Sequence, residues 1–356
     1  MIPMRCPTLS ELPPPPPGKT GWPWTEESPQ LPDTMPDGRP WPRVSIVTPS
    51  YNQAQFIEET IRSVLLQGYP NLEYIIIDGG STDESVDLIR KYEKWLAYWV
   101  SEPDKGQADA INKGWRMATG EIFAYLNSDD TYCPGAIGTA VEYFLRYPEV
   151  GMVYGDGNIV DDKGMVLKKH RLRDMTFADV LCWSPYILQP SVFLRKEVIE
   201  SIGMTNRDLH YNMDYELWIR VGLEYKMKHI PIFLANAKLH PTAKGVAYPI
   251  ESTSEAIKVL QQFFSQDLPS EISNLKNQAF SSAYLRKAYA YYVLGQMPEA
   301  RTWVTKAFKF YPSASLAWKG LTIFLKTLLG SSLSCRLRVL KREWLHSIRS
   351  IVRCTQ

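Results

Sequence analysis

Between residues 43 and 130 the chain alternates short apolar runs with segments of helical spacing, and every apolar run stops at a polar or acidic cluster. The runs cover 43–48 (RVSIVT), 72–77 (LEYIII), 95–100 (WLAYWV) and 122–126 (IFAYL). Apolar runs of this length, rich in β-branched and aromatic residues, read as buried strands. Between them Phe56, Ile57, Ile61, Val64 and Leu65 recur at helical spacing over 54–67, Val86, Ile89 and Tyr92 mark a second helix, and 107–117 a third. Strands alternating with helices of this length leave little choice but a largely parallel sheet with right-handed crossovers. The runs end at Tyr51-Asn52, at Asp78, at Glu102 and Asp104, and at Asn127, Asp129 and Asp130. Open α/β sheets bind ligands beyond the carboxyl ends of their strands, so these endings on one edge describe a pocket.

The last ending, Asn127-Ser128-Asp129-Asp130, carries the most chemistry. Two carboxylates and an amide at a strand end can hold a hard divalent cation through oxygen. Asp is equally a favoured helix cap, and a helix is expected to begin near Pro134. The surrounding sequence favours the cation. Neither GxGxxG nor a Walker loop follows the first strand, so a glycine-rich turn is not the main grip on phosphate, and a metal at Asp129 and Asp130 is the substitute.

The second half changes character. A helix over 135–147 precedes a strand over 151–160, and Asp161-Asp162-Lys163-Gly164 before 165–171 reads as a hairpin. A short helix over 177–183, a strand over 189–193 and a helix over 196–202 follow. Asp214 falls in the first turn of the next helix, where the dipole favours a carboxylate for structural reasons alone. A last strand over 228–235 leads to His240 and Lys244; a lone His is more often structural than a ligand.

The net charge of +2 calls for no nucleic-acid partner. Five scattered cysteines without a CxxC argue against a disulfide framework or structural zinc and fit a reducing, cytoplasmic setting. Residues 1–42 hold an unbroken proline run, Pro13 to Pro17, and read as an extended leader that is either a spacer or a cover on the domain. No secretory signal and no spanning apolar stretch are expected.

The run VSIVTPSYNQAQFIEETIRSVLLQGYPNLEYIIIDGGSTDES, continued by EPDKGQADAINKGWRMATGEIFAYLNSDD, resembles the opening of glycosyltransferase family 2 enzymes. The resemblance covers roughly residues 43–245. It implies an α/β GT-A fold over 43–248: a Rossmann-like, mixed but mostly parallel sheet flanked by helices, with a nucleotide-binding half (43–130) and an acceptor-binding half (131–248). It implies inverting transfer of a sugar from a nucleoside diphosphate donor, UDP being the expected nucleotide, with Mg²⁺ or Mn²⁺. Pro49, Tyr51, Asn52, Asp78 and Gly79 match positions that hold the base. Asp104, Gly106, Asp109 and Lys113 match the segment lining the nucleotide pocket. Asn127, Ser128, Asp129 and Asp130 match the metal motif, in which many members carry Asp at the first position; Asp129 and Asp130 are then the expected metal ligands. Asp214 matches the catalytic base, although Met213 stands where the family's Glu is usual. His240 and Lys244 resemble a late motif that approaches the metal and the diphosphate, and Gln189 and Trp218 fall on the acceptor side.

Beyond residue 250 the pattern becomes helical. Ala283, Tyr291, Gly295, Ala300, Ala307 and Pro312 resemble one tetratricopeptide hairpin within 249–315, and a single unit of that kind must pack on something else. Over 316–356, Arg336, Arg338, Lys341, Arg342, Arg349 and Arg353 interleave with apolar residues. Such a tail suits either peripheral contact with the inner face of an anionic membrane or docking by its apolar stripe. A saccharide or lipid-linked saccharide acceptor, as in polysaccharide or glycolipid assembly of the cell envelope, is consistent with the former. The competing readings are a sugar nucleotidyltransferase, which should carry a glycine-rich phosphate loop where Thr48-Pro49-Ser50-Tyr51-Asn52 stands, and an inactive transferase-like binding module.

Overall fold

Val44–Ser50 and Leu72–Asp78 are buried at every position, as strands covered on both faces must be. The computed structural model describes residues 5–182 and 185–312 together with helical positions 320–322, 324–325 and 327–328. The chain divides into two units, 1–180 with 185–247, and 181–184 with 248–356.

The first unit opens with β1 (Val44–Ser50), α1 (Ile57–Leu65), β2 (Leu72–Asp78), α2 (Ser85–Lys91), β3 (Tyr98–Ser101), α3 (Gln107–Met117) and β4 (Ile122–Tyr125). It continues through β5 (Thr131–Tyr132), α4 (Ala136–Arg146), β6 (Val150–Val160), β7 (Val166–His170), α5 (Phe177–Cys182), β8 (Val192–Arg195), α6 (Lys196–Ile202), α7 (Met213–Glu224), β9 (Lys226–Lys238) and α8 (Lys244–Ala247). The strands form one sheet in the order β3-β2-β1-β4-β8-β6-β9-β5, with β7 beside β6. β1 pairs in parallel with β2 and β4, and β2 with β3, as the alternating pattern requires. β8 runs antiparallel to both β4 and β6, so the sheet turns from parallel to mixed in the second half.

Three local departures from the sequence reading matter. The third strand begins at Tyr98, because Glu93–Trp95 form a 3-10 turn. The run expected as strand over 189–193 opens with a 3-10 turn, Gln189–Ser191, before β8; Pro190 has no N–H for a ladder. The third is β5, only two residues long and not foreseen, which pairs antiparallel with the end of β9.

The proline-rich leader covers the first unit. Arg62 on α1 is completely buried. It donates to the carbonyls of Pro23 at 3.0 Å, Pro13 at 2.8 Å and Trp24 at 2.9 Å, and to the Tyr92 hydroxyl at 3.2 Å. The Cys6 N–H donates to the Tyr69 carbonyl, Ser28 to Leu66 and Leu31 to Gly68. Gly68 has φ 66°, and a Cβ there would lie 2.2 Å from the Pro29 carbonyl oxygen, so the leader runs directly over it.

In the second unit α9 (Pro249–Phe263) and α10 (Ser270–Ser273) lead to α11 (Lys276–Val293) and α12 (Met297–Phe310). The last two form a helical hairpin turning at Gly295, whose φ of 81° suits glycine. Ala279, Ala283, Ala300 and Ala307 are buried, and Tyr284 packs on Trp303 at 5.4 Å between ring centres. Among the described residues no helix is long and apolar enough to cross a membrane. The basic residues of the expected tail lie outside the described residues.

Replacing Arg62 with Leu removes four donors from a dry site and strands three carbonyls. Chemical denaturation should show a loss of about 3 kcal/mol or more, with new proteolytic cleavage in residues 13–24. A loss below about 1 kcal/mol would mean the leader is not held this way.

Candidate active site

Parallel register sets the base-side edge, placing Ser50 beside Asp78 and Asp78 beside Ser101. Asp78 is fully buried and accepts four hydrogen bonds: from the N–H groups of Gly80 (3.2 Å) and Ser81 (2.8 Å) and the hydroxyls of Ser81 (2.6 Å) and Ser101 (2.7 Å). Three of these bonds fall on Oδ2 and one on Oδ1, so Oδ1 keeps a lone pair for a further N–H. Pro49 lies in the same register opposite Ile77. Asn52, at φ 52°, accepts from the Thr82 N–H, and Tyr51 is largely exposed beside it.

Gly79 is a close-approach glycine: a Cβ there would sit 2.7 Å from Asp104 Oδ2. Asp104 accepts from the Gly106 N–H at 2.7 Å, and burial, with Asp109 and Asp78 nearby, holds its carboxyl above the usual range. Gly106 precedes α3 at φ 106°. Asp109 pairs with Arg207 at 3.1 Å, and Lys113 pairs with Glu102.

At the end of β4, residues 127–130 make a tight turn closed by the Asp130 N–H on the Asn127 carbonyl at 3.1 Å. The turn sends its carboxylates to different places. Asp130 points inward and accepts from the Lys238 N–H at 2.9 Å and from Asn127 Nδ2 at 3.3 Å. Burial and the neighbouring Asp129 push the Asp130 carboxyl well above the ordinary range. Asp129 Oδ2 instead meets His240 Nε2 at 2.9 Å, while His240 Nδ1 lies 2.9 Å from the Thr242 hydroxyl. The His240 ring packs on Phe56 at 4.8 Å. Ser128, in the same turn, is buried.

From the second half, Gln189 donates to the Tyr125 carbonyl at 2.8 Å and its Oε1 accepts from Asn127 at 3.3 Å. Asp214 stands in the first turn of α7, where its Oδ1 accepts from the Tyr215 N–H. The buried Tyr125 hydroxyl is pushed far up by desolvation, with the charges of Asp214 and then Asp130 adding to it. Trp218, four residues beyond Asp214, is buried, and its indole N–H has no hydrogen-bond partner among the described residues. Lys244 donates to Gln107 Oε1 at 2.8 Å and to the His210 carbonyl at 3.3 Å. Sequence reasoning missed Gln107, which also donates to Asn127 Oδ1 at 2.6 Å. It also missed the buried Asn112–Thr205 pair, which ties α3 to the segment before α7 by bonds of 2.7 and 3.1 Å.

The family model for glycosyl transferase family 2 matches residues 45–203. An uncharacterized glycosyltransferase of Mycobacterium tuberculosis is 38% identical over 187 residues, 51% of this chain and 70% of that protein. The chain belongs to glycosyltransferase family 2. That membership displaces the nucleotidyltransferase alternative. Other family relatives are longer: an uncharacterized glycosyltransferase of Rickettsia felis is 26% identical over 65% of this chain, which spans 39% of its length.

Solved structures show the GT-A fold. Mannosyltransferase PcManGT from Pyrobaculum calidifontis, in complex with GDP-Man and Mn²⁺, has a TM-score of 0.56 at 22% identity, covering 86% of this chain and 84% of that one. TarS 1-349 of S. aureus, in complex with UDP-GlcNAc, has a TM-score of 0.57 at 14% identity, covering 80% and 90%.

Among the described residues no cluster of three or more His, Cys, Asp or Glu could hold a metal ion. Each Asp130 oxygen accepts one N–H and keeps a further lone pair, so Asp129, His240 and Asp130 are the side chains at the turn with oxygen or nitrogen to offer a cation. That is a fit for a hard ion that draws most of its ligands from substrate phosphate and water and few from protein.

Ala at position 79 of this family 2 chain should push Asp104 off the Gly106 N–H. The Gly106 amide resonance should move as it loses the Asp104 carboxylate, with a stability loss of about 1 kcal/mol; an unmoved Gly106 resonance would refute the close approach.

Proposed function

We propose that this chain transfers a sugar from a nucleoside diphosphate donor, with UDP the first nucleotide to test, to an acceptor hydroxyl with inversion at the anomeric carbon. The Asp129–His240 pair carries this reading, because it stands on the same strand edge as Asp78 and Asp104, and Asp214 lies in the first turn of α7. The neighbours in complex with UDP-GlcNAc and with GDP-Man and Mn²⁺ support a nucleotide-sugar donor.

Each residue then has its own task. Pro49, Tyr51, Asn52 and the Asp78–Gly79 turn form the cradle for the base, with Asp104, Gly106, Asp109 and Lys113 along its side. Asp129, Asp130 and His240 would hold Mg²⁺ or Mn²⁺, which when bound stabilises negative charge on a diphosphate leaving group. Lys244 adds a positive charge that can move onto the diphosphate from Gln107. Asp214 takes the acceptor proton as the oxygen attacks, and a base opposite the leaving group gives in-line displacement. Gln189 and Trp218 line the acceptor side. The acceptor proposed is a saccharide or lipid-linked saccharide, met in the cytoplasm or at the inner membrane face during polysaccharide or glycolipid assembly.

Release of diphosphate nucleotide from UDP-glucose, UDP-GlcNAc and GDP-mannose, with Mn²⁺ and with EDTA, tests the reading. No metal-dependent binding or turnover with any of them would sink it. Asp214→Asn should lower turnover about a hundredfold or more while donor affinity stays within a fewfold; near-normal turnover would remove Asp214 from the base role. His240→Ala should weaken Mn²⁺ binding in the presence of UDP by roughly tenfold or more, read from free Mn²⁺ by electron paramagnetic resonance, and equal affinity would exclude it as a ligand.

A further inference from the structure

Three carboxamides lie in line between two groups of fixed polarity. At one end the Tyr125 carbonyl can only accept, and Gln189 Nε2 donates to it at 2.8 Å. At the other end the Lys244 ammonium can only donate, and Gln107 Oε1 accepts from it at 2.8 Å. Between them Asn127 Nδ2 donates to Gln189 Oε1 at 3.3 Å, and Gln107 Nε2 donates to Asn127 Oδ1 at 2.6 Å.

The ends decide the direction of every bond. An amide's oxygen and nitrogen have nearly the same shape, and only their partners tell them apart. Turning Gln189 over would set its oxygen against the Tyr125 carbonyl. Turning Gln107 over would set its NH₂ against the ammonium. Reversing Asn127 alone would break both inner bonds, and would also remove the N–H that Asp130 Oδ2 accepts at 3.3 Å. One arrangement satisfies all five groups, and aligned hydrogen bonds of this kind reinforce one another.

We propose that Gln107, Asn127 and Gln189 act as one directed amide chain, in which Gln107 and Gln189 are positioning residues for the donor site. The chain fixes Asn127 with its N–H groups toward Gln189 and Asp130, and it fastens Lys244 at the strand edge until a diphosphate takes over its ammonium. Residue 127 therefore serves here as an amide that donates on one side and accepts on the other. A carboxylate accepts only, and in this place it would face Gln189 Oε1 and Asp130 Oδ2 with no hydrogen to give. This rests on the donor-site reading above and adds a requirement to it: the metal motif of this chain works because its first member is uncharged.

The decisive variant is Asn127→Asp, since the two readings of that position predict opposite signs. With residue 127 as a direct ligand contact, a carboxylate maintains or improves nucleotide binding. With the directed chain, calorimetric titration with UDP and with GDP, each with Mn²⁺, should show the Kd rise by about tenfold or more, the scale of one lost bond to a buried polar group. The double variant Asn127→Asp, Gln189→Lys puts a donor back against both the Tyr125 carbonyl and the new carboxylate. It should return Kd to within about threefold of the parent, whereas a variant damaged only in packing gains nothing from an added charge. Unchanged or tighter binding by the single variant, or no recovery in the double, overturns the proposal. Should the parent bind neither nucleotide, the donor reading fails by itself, and the chain is judged on ligand-free protein. There, side-chain amide resonances of Gln107 and Gln189 should both move in Asn127→Asp, and a shift confined to one of them or absent from both refutes it.

Discussion

A two-residue strand holds the candidate site together. Thr131 and Tyr132 pair with Ala235 and Asn236 at the end of β9, which clamps the tight turn of residues 127–130 against a segment more than a hundred positions later. With that pairing in place the Lys238 N–H lies under Asp130, and two residues further His240 meets Asp129. The clamp also has a cost to offset. It buries a carboxylate next to another carboxylate, and burial disfavours the charged form. The strand N–H and the Asn127 amide answer that cost for Asp130, which leaves Asp129 as the member of the pair that faces outward.

Three acidic residues of the site thus meet desolvation in three ways. Asp78 accepts from two N–H groups and two hydroxyls. Asp130 relies on rigid N–H donors from a strand and an amide. Asp129 has the imidazole of His240, and this is the exchangeable arrangement. A ring nitrogen that donates to a carboxylate when it carries a hydrogen offers a lone pair when it does not, so the same two side chains suit each other in the absence of a cation and, on the proposed reading, would share one in its presence. The other His240 nitrogen, beside Thr242, helps set the ring's orientation.

Much of this was legible in the sequence. The four strand endings predicted one polar edge, because period and punctuation report backbone geometry directly. Asp78, Asp104, Asn127, Asp129 and Asp130 lie at that edge, and Asp214 stands at a helix start. What stayed hidden depends on pairing across distance. β5 is too short to show a period. Gln107 looks like an ordinary polar residue and Gln189 like an acceptor-side one until the fold sets them on either side of Asn127, and Gln189 stands in a 3-10 turn because Pro190 interrupts an otherwise strand-like run. Arg62 reads as a solvated position in a helix, and nothing local announces that α1 faces carbonyls rather than water. The leader's two readings, spacer or cover, could not be separated without its partner.

Proline and arginine turn out to be matched opposites in this chain. A polyproline stretch offers carbonyls but lacks the N–H groups that would engage them, so it is a surplus of acceptors that no sheet or helix can absorb. A guanidinium has five N–H donors and no acceptor. Placed together in a dry interface, each supplies what the other lacks. At Pro13 and Pro23 the guanidinium reads main-chain oxygen and is indifferent to the side chains that bear it. The covering segment therefore meets Arg62 through main-chain oxygen alone, two from prolines and one from Trp24, whose own N–H is turned to the Gly21 carbonyl.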